Sequence, residues 1–292
     1  MSQHTIRLLE TPEEMSAVEA LQRQVWPGSE TEIVPTHLLV TAVHNGGIVL
    51  GGFIKGELVG FVFGFPGLDM LPDGPHPKHC SHMMGVHPQW RDSGLGFALK
   101  RAQWQIVRHQ GLDHITWTYD PLHSRNAYLN IAKLGGICNT YRRSEYGDMR
   151  DGLNAGLPTD RFQIDWWLNT RRVEQRLSKH PRGTLKLAHV MKADIQLLYS
   201  PRIGSDGLLR VPAQFSRPST PLLLAEIPVD FNAIKSTDFS LARDWRFFLR
   251  EISETAFAAG YFVTDFIFDA SGDQPRSLYM LTDGQTILED VG

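Results

Sequence analysis

The chain has 292 residues, 42% of them hydrophobic and 21% charged, with a net charge of −3 and a pI near 6.5. That length holds one large domain or two ordinary ones around a well-buried core. The balance is that of a soluble globular protein; it lacks the basic surface of a nucleic-acid binder, and no apolar run nears the roughly 20 residues of a membrane span.

The opening MSQHTIRLLE has neither the basic head nor the apolar core of a secretory signal, and two cysteines, Cys80 and Cys138, suit a reducing cytosol better than a disulfide framework. Residues 5–10 read as a strand. Thr11-Pro12-Glu13-Glu14 is a capping box with proline at the first helical position, opening a helix to about residue 26. A second helix runs over 36–44 and stops at Asn45-Gly46. Residues 47–54 and 57–65 make an apolar hairpin around Lys55-Gly56.

A loop carrying Pro72, Pro75 and Pro77 leads to a strand over 79–87. The helix over 94–110 has an apolar stripe of Leu95, Leu99, Ala102, Ile106 and Trp104, and Gly111 ends it. A strand over 114–120, a helix over 125–134 ended by Gly135-Gly136, and strands over 137–143 and 160–168 complete a first domain, 1–168. This order puts a parallel crossover at its centre. A polar helical bridge over 169–183 stops at Pro181-Arg182-Gly183 and leads to a second α+β unit, 184–292.

That unit reads as strands at 185–191, 208–213 and 222–228, a helix over 241–259, and strands at 261–269 and 277–282. Its order AEIPVD, helix, YFVTDFIFD echoes MGVHPQ, helix, HITWTYD. The echo suggests a degenerate repeat without the Gly-x-Gly, serving packing, dimerisation or substrate cover.

The stretch VHPQWRDSGLG, residues 86–96, sits where a strand gives way to a helix. A helix N-terminus carries unpaired N–H groups and partial positive charge, and Gly94 and Gly96 let an anion approach the backbone. Arg91 adds charge and Ser93 a hydroxyl. A glycine-rich turn that merely starts a helix remains the alternative on these residues alone. Two other phosphate motifs fall away: Gly-Lys-Ser/Thr is absent, and Leu99 stands where a dinucleotide fingerprint needs a third glycine or alanine.

Val86, Pro88, Arg91, Gly94 and Gly96 match the signature Val-x-Pro-x-x-Arg/Gln-x-x-Gly-x-Gly/Ala, and with the order of elements from 5 to 168 the chain resembles the GNAT acyltransferase superfamily. SHMMGVHP, WTYDPLHSRNAYLN and YGDMRDGLNAGLPTDRF resemble a longer group of that family with an extra C-terminal region. The resemblance implies an α/β (α+β) fold. Its sheet is mixed and mostly antiparallel, with a central parallel pair formed by the fourth and fifth strands and helices on its flanks. It implies that backbone near Met84 and Val86 pairs with pantetheine. The amides of Arg91, Asp92, Ser93, Gly94, Leu95 and Gly96 would hold the coenzyme A pyrophosphate, and Asn126 would lie near the pantetheine arm.

The family's acidic tyrosine has no counterpart: aligning Lys133 and Gly135 puts Ile131 there. Candidate catalytic groups are His82 as base, Asp120 as second base, and Tyr146 as replacement acid. His82 has as its alternative an ordinary strand histidine, and Asp120-Pro121 an ordinary turn. His76, His79, Cys80 and His82 lack a firm tetrahedral spacing, so no metal is expected. Arg142, Arg143 and Arg161 are candidates to bind a carboxylate on the acceptor or acyl group, against the alternative of surface arginines.

The implied function is N-acyl transfer from acetyl-CoA, or a larger acyl-CoA such as succinyl-CoA, to a small amine such as an amino acid. The expected setting is the cytosol, with no nucleic-acid or membrane partner and a homodimer among the readings. A non-catalytic acyl-CoA sensor and a protein lysine acetyltransferase stay open beside it.

Overall fold

The capping box closes as its residues require. Thr11 Oγ1 accepts from Glu14 N at 3.3 Å, and Glu14 Oε2 accepts from Thr11 N at 3.1 Å. Helix α1 (Pro12–Val25) follows, after strand β1 (His4–Leu8). The computed structural model describes residues 4–28, 30–147, 156–178 and 183–284. The chain divides into two units by its contacts: 1–117 with 150–152 and 167–169, and 118–149 with 153–166 and 170–292.

In the first unit, α2 (Thr36–His44) precedes β2 (Ile48–Ile54), β3 (Glu57–Leu71) and β4 (Gly74–Val86). Helix α3 (Leu95–His109) and β5 (His114–Tyr119) follow. The strand order is β1-β2-β3-β4-β5, antiparallel except for the parallel β4/β5 pair. Period-two alternation, reset by a register irregularity at Val59 where β3 pairs with β2, decides which side chains meet which helices. Val49, Phe61 and Phe63 pack with Met15, Val18, Leu21 and Leu39 of α1 and α2. Leu50, Val59 and Val62 pack with Leu95 and Leu99 of α3. Burial on both faces explains why the sequence from 58 to 63 is an unbroken run of apolar residues and glycine.

Pro75 and Pro77, expected in a loop, lie within β4 opposite Met70 and Leu68 of β3, which is six residues longer than the sequence suggested. β4 meets β5 only at His79 and Cys80. Its early residues therefore form an edge, where a missing N–H costs no ladder bond.

The second unit carries α4 (Ser124–Ala127), which continues as a π-helical turn over Tyr128–Lys133, then β6 (Ile137–Arg142) and β7 (Arg161–Trp167). Next come α5 (Arg171–Leu177), α6 (Leu187–Val190), β8 (Ile195–Leu197), β9 (Arg202–Ile203) and β10 (Leu209–Arg210). β11 (Leu222–Ile227), α7 (Phe231–Thr237), α8 (Phe239–Ala258), β12 (Tyr261–Asp269) and β13 (Arg276–Asp283) complete it. The strand order here is β7-β6-β12-β13-β11-β8.

Residues 187–190, expected in a strand, are helical, and Leu187 and Val190 both turn into one apolar cluster with Leu224, Ile267 and Leu278. Asp230 and Asp238 each cap a helix: α8 covers the helix expected over 241–259, and α7 is a short additional helix before it. The expected stop at Pro181-Arg182 lies outside the described residues. β11 and β12, which echo β4 and β5 in sequence, are not neighbours; β13 pairs with both. The echo does not extend to sheet order.

Candidate functional site

Val86 ends β4 opposite Gly60, and a short 3-10 turn over Pro88–Trp90 carries the chain to α3. Asp92 takes a φ of 68° and Gly94 one of 84°, so the backbone curls before the helix begins. A Cβ on Gly94 would meet nothing within 4 Å: the loop is open on that side. No side chain caps α3 at Gly94, although Ser93 Oγ accepts a long 3.4 Å bond from Leu95 N. Arg91 is exposed, with no side-chain hydrogen bond or ion pair among the described residues. Leu95 anchors this end of the helix, because Gly52 and Gly60 beneath it leave the room their Cβ atoms would fill.

β4 and β5 pair at His79↔Ile115 and Cys80↔Thr116, and no further pair follows. From Ser81 onward β4 bonds only to β3, through a register irregularity between Phe63 and Phe65. Six residues of strand, Ser81 to Val86, thus leave about 16 Å of free backbone edge leading from the end of the pairing to the glycine loop. Met84 and Val86 lie on this edge. An extended ligand with amide groups can bond there as another strand would.

Sequence reasoning missed what lies at the closed end of this split. Lys100 of α3 is 2% exposed, and its Nζ donates to Ser81 Oγ at 2.7 Å and Gln103 Oε1 at 3.2 Å. Its ammonium sits 3.6 Å from the ring centre of Trp117 on β5. Gln103 Nε2 reaches His79 Nε2 at 3.2 Å, and His79 Nδ1 is buried with no partner among the described residues. Burial lowers the Lys100 pKa to about 7, against a small upward pull from Cys80. Burial, and then the Lys100 charge, lowers that of His79 to about 3. A signal was available: Lys100, Gln103 and Val107 recur at helical spacing on the same face as Leu95 and Leu99.

His82 packs its ring against Phe63 at 5.8 Å and Phe65 at 5.9 Å while staying open to solvent, and partial burial lowers its pKa. It is therefore neutral near pH 7 and able to accept a proton. In the second unit, Tyr146 Oη shares a 2.6 Å hydrogen bond with Thr118 Oγ1 and lies under the Arg161 guanidinium at 5.6 Å. Half of Tyr146 is exposed. Asn126 is exposed on α4 with no side-chain hydrogen bond among the described residues.

Asp120 is better placed for structure than for proton transfer. Arg246 of α8 donates to its two oxygens at 2.9 and 2.5 Å, with Arg161 at 3.6 Å and His123 at 3.8 Å. Burial pushes its pKa up, but the Arg246 charge, with His123 and Arg161, holds it well below the carboxylate range. A carboxylate so firmly ionised is a poor base.

Arg142 and Arg161 face each other across β6 and β7. Each has a protein partner: Arg142 donates to Gln163 at 2.9 Å, and Arg161 to the Asp160 carbonyl at 3.1 Å. Arg143 forms a two-pronged pair with Glu254 at 2.5 Å. His76 pairs with Asp73 at 3.0 Å, so the four metal candidates have separate surroundings. Among the described residues no cluster of three or more His, Cys, Asp or Glu is placed to hold a metal ion. Nor is any described helix long and apolar enough to cross a membrane.

Residues 15–131 match the family described as Acetyltransferase (GNAT) family. None of the curated proteins matches the chain. Among solved structures, the ribosomal-protein-S18-alanine N-acetyltransferase of Escherichia coli is 16% identical over 57% of this chain and 94% of its own, at a TM-score of 0.43. An N-acetyltransferase of Staphylococcus aureus Mu50 is 13% identical over 57% and 99%, at 0.44. Ard1 of Thermoplasma volcanium is 17% identical over 56% and 95%, at 0.41. The matched residues span the split, the glycine loop and α3, and it is over this stretch that the chain is similar to the GNAT acetyltransferases.

Proposed function

We propose that the protein is an acyl-CoA-dependent N-acyltransferase acting on a small amine, with acetyl-CoA or a larger acyl-CoA such as succinyl-CoA as donor. The observation that carries this is the split between β4 and β5, whose free edge leads from Ser81 to the uncapped start of α3. Amides of Arg91, Asp92, Ser93, Gly94, Leu95 and Gly96 are suited to a pyrophosphate, helped by the unpaired Arg91. The β4 edge at Met84 and Val86 is suited to the amides of pantetheine; in the second unit, the Asn126 amide is exposed and makes no side-chain hydrogen bond among the described residues.

The thioester supplies an activated acyl group; the rest is the protein's work. His82, neutral and accessible, takes the proton from the attacking amine. A β4 backbone N–H at the split donates to the oxyanion that forms on the acyl carbon. Within the second unit, Tyr146, Arg161 and Arg142 together present a phenol and positive charge of the kind a carboxylate-bearing molecule would pair with, while Arg143 is engaged by Glu254. Asp120 is left out of the chemistry.

Ile131, fully buried where the family resemblance expects an acidic tyrosine, favours a second reading, a non-catalytic acyl-CoA sensor. A panel of amino acids, polyamines and peptides with acetyl-CoA and succinyl-CoA, read by release of free thiol, separates the two. Turnover on a small amine supports the enzyme, turnover only on a peptide lysine supports a protein acetyltransferase, and binding without turnover supports the sensor. If neither CoA nor acetyl-CoA raises the melting temperature at saturation, the acyl-CoA reading itself fails.

A further inference from the structure

We propose that Ser81 receives the sulfur of the coenzyme A thioester as it departs, and that Lys100 behind it supplies the positive charge and the proton that complete the thiol. The inference rests on the acyl-CoA reading above and deepens it. Ser81 would touch the leaving group; Lys100 acts through Ser81 and is a positioning residue.

Position is the first argument. The parallel register ends at Cys80↔Thr116, so the next residues, Ser81 and Trp117, are the two lips of the split. Lys100 Nζ touches both, 2.7 Å from Ser81 Oγ and 3.6 Å from the Trp117 ring centre. The ammonium thus lies at the point where the strands part, at the end of the edge that begins at the glycine loop.

Charge is the second. A buried cation costs several kcal/mol unless it is paired. Among the described residues no carboxylate faces Lys100: from β4 it meets Ser81, the Cys80 thiol and, through Gln103, the neutral His79; from β5 it meets Trp117. A core lysine that only filled space would be better replaced by leucine or methionine. An anion that exists only during the reaction gives this cation a partner when one is needed, as preorganised charge does in acyl transfer. Burial brings the lysine to about 7, where it can still give its proton to a thiolate.

The step balances. The amine nitrogen bonds to the acyl carbon, the C–S bond breaks, and its electron pair stays on sulfur. Ser81 Oγ–H turns from Gln103 Oε1, to which it now donates at 3.0 Å, and passes its proton to sulfur while taking one from Lys100 Nζ. Lys100, left as a neutral amine, regains a proton from solvent, to which His82 releases the one it took from the acceptor nitrogen.

The test needs no acceptor. CoA and acetyl-CoA are bound to the full chain, and the ultraviolet absorbance of the CoA thiolate is followed from pH 6 to 10. A thiolate at this place would hold the Lys100 proton, so the two groups titrate as a pair, and in the wild type thiolate should appear at least about one pH unit below free CoA. Lys100→Met should abolish that shift while acetyl-CoA affinity stays within about threefold, Ser81→Ala should shrink it, and Lys100→Arg should keep most of it. A bound thiol that titrates like free CoA in the wild type overturns the proposal, even if every variant fails to fold. So does a shift that survives in Lys100→Met. Failure of the wild type to bind either probe would instead sink the acyl-CoA reading, and this inference with it.

Discussion

A methyl group at Gly64 would lie 2.2 Å from His79 Nε2 and 2.6 Å from the Cys80 carbonyl, a backbone atom that cannot step aside. Gly64→Ala should therefore destabilise the protein by about 1–3 kcal/mol, read as a lower urea midpoint at unchanged slope. Because His79 is displaced with its Gln103 and Lys100 neighbours, the effect reaches the closed end of the split. His82 asks for a different experiment. His82→Gln should lower kcat about 100-fold with little change in the KM for acetyl-CoA, since its ring meets Phe63 and Phe65 rather than the glycine loop. The two depressed bases also set a pH trend. His79 and Lys100 bind fewer protons folded than unfolded, between about 3 and 6.5 and between about 7 and 10.5 respectively. Stability should rise with pH through both windows, and Lys100→Met should flatten the upper one in denaturation curves taken from pH 7 to 10.

Among elements, α3 joins the glycine loop to the buried lysine. Its start is held by Leu95 over Gly52 and Gly60, and its second turn brings Lys100 under Ser81. Gly94→Ala forces a side chain into a left-handed conformation although its Cβ has open space, so it should cost about 1 kcal/mol and weaken CoA binding; calorimetric titration reads the affinity. Gly94→Asn should lose less, because asparagine tolerates that conformation. Helix α8 does comparable work in the second unit. Arg246 and Arg250, one turn apart, reach Asp120 and Asp160. Asp120→Asn would strand the buried Arg246 charge and should destabilise by about 3–5 kcal/mol in chemical denaturation. In the native chain that contribution is present above the ordinary aspartate value and disappears only in strong acid, as pH falls through the depressed folded value. Both helices show where element-level reading stops. The stripe Leu95, Leu99, Ala102, Ile106 locates α3, but apart from their helical spacing nothing local marks Lys100 and Gln103 beside it as buried, because burial of a lysine runs against composition rules.

For the molecule as a whole, coenzyme A is the ligand whose binding should report on fold and site together. At 100 times its Kd, CoA should add about 2.7 kcal/mol to the stability of the unit that binds it, seen as a rise in melting temperature; Arg91→Ala should reduce the rise, and more so at low salt. The two units divide the candidate residues unevenly. The first holds the glycine loop, the β4 edge, His82 and Lys100; the second holds Asn126, Tyr146 and the three arginines. The sequence boundary at 168 reflects a change in composition, whereas the contacts divide the chain inside β5, between Trp117 and Thr118. A strand shared by two contact groups has no local marker in sequence.

What the sequence determined by itself is local. The capping box set the start of α1, Thr36 and Asn45-Gly46 bounded α2, Lys55 and Gly56 at positive φ made the hairpin turn, and Gly94 opened the loop before α3. Each is fixed by residues within one turn of the chain. The tertiary structure alone decided the rest. Whether Asp120 is a base or half of an ion pair depends on Arg246, 126 residues away. Whether Lys100 is solvated or buried depends on Ser81 and Trp117, which strand pairing brings to it from either side. Charge and burial are set by neighbours distant in sequence, and those neighbours become visible only when the sheet has closed around them.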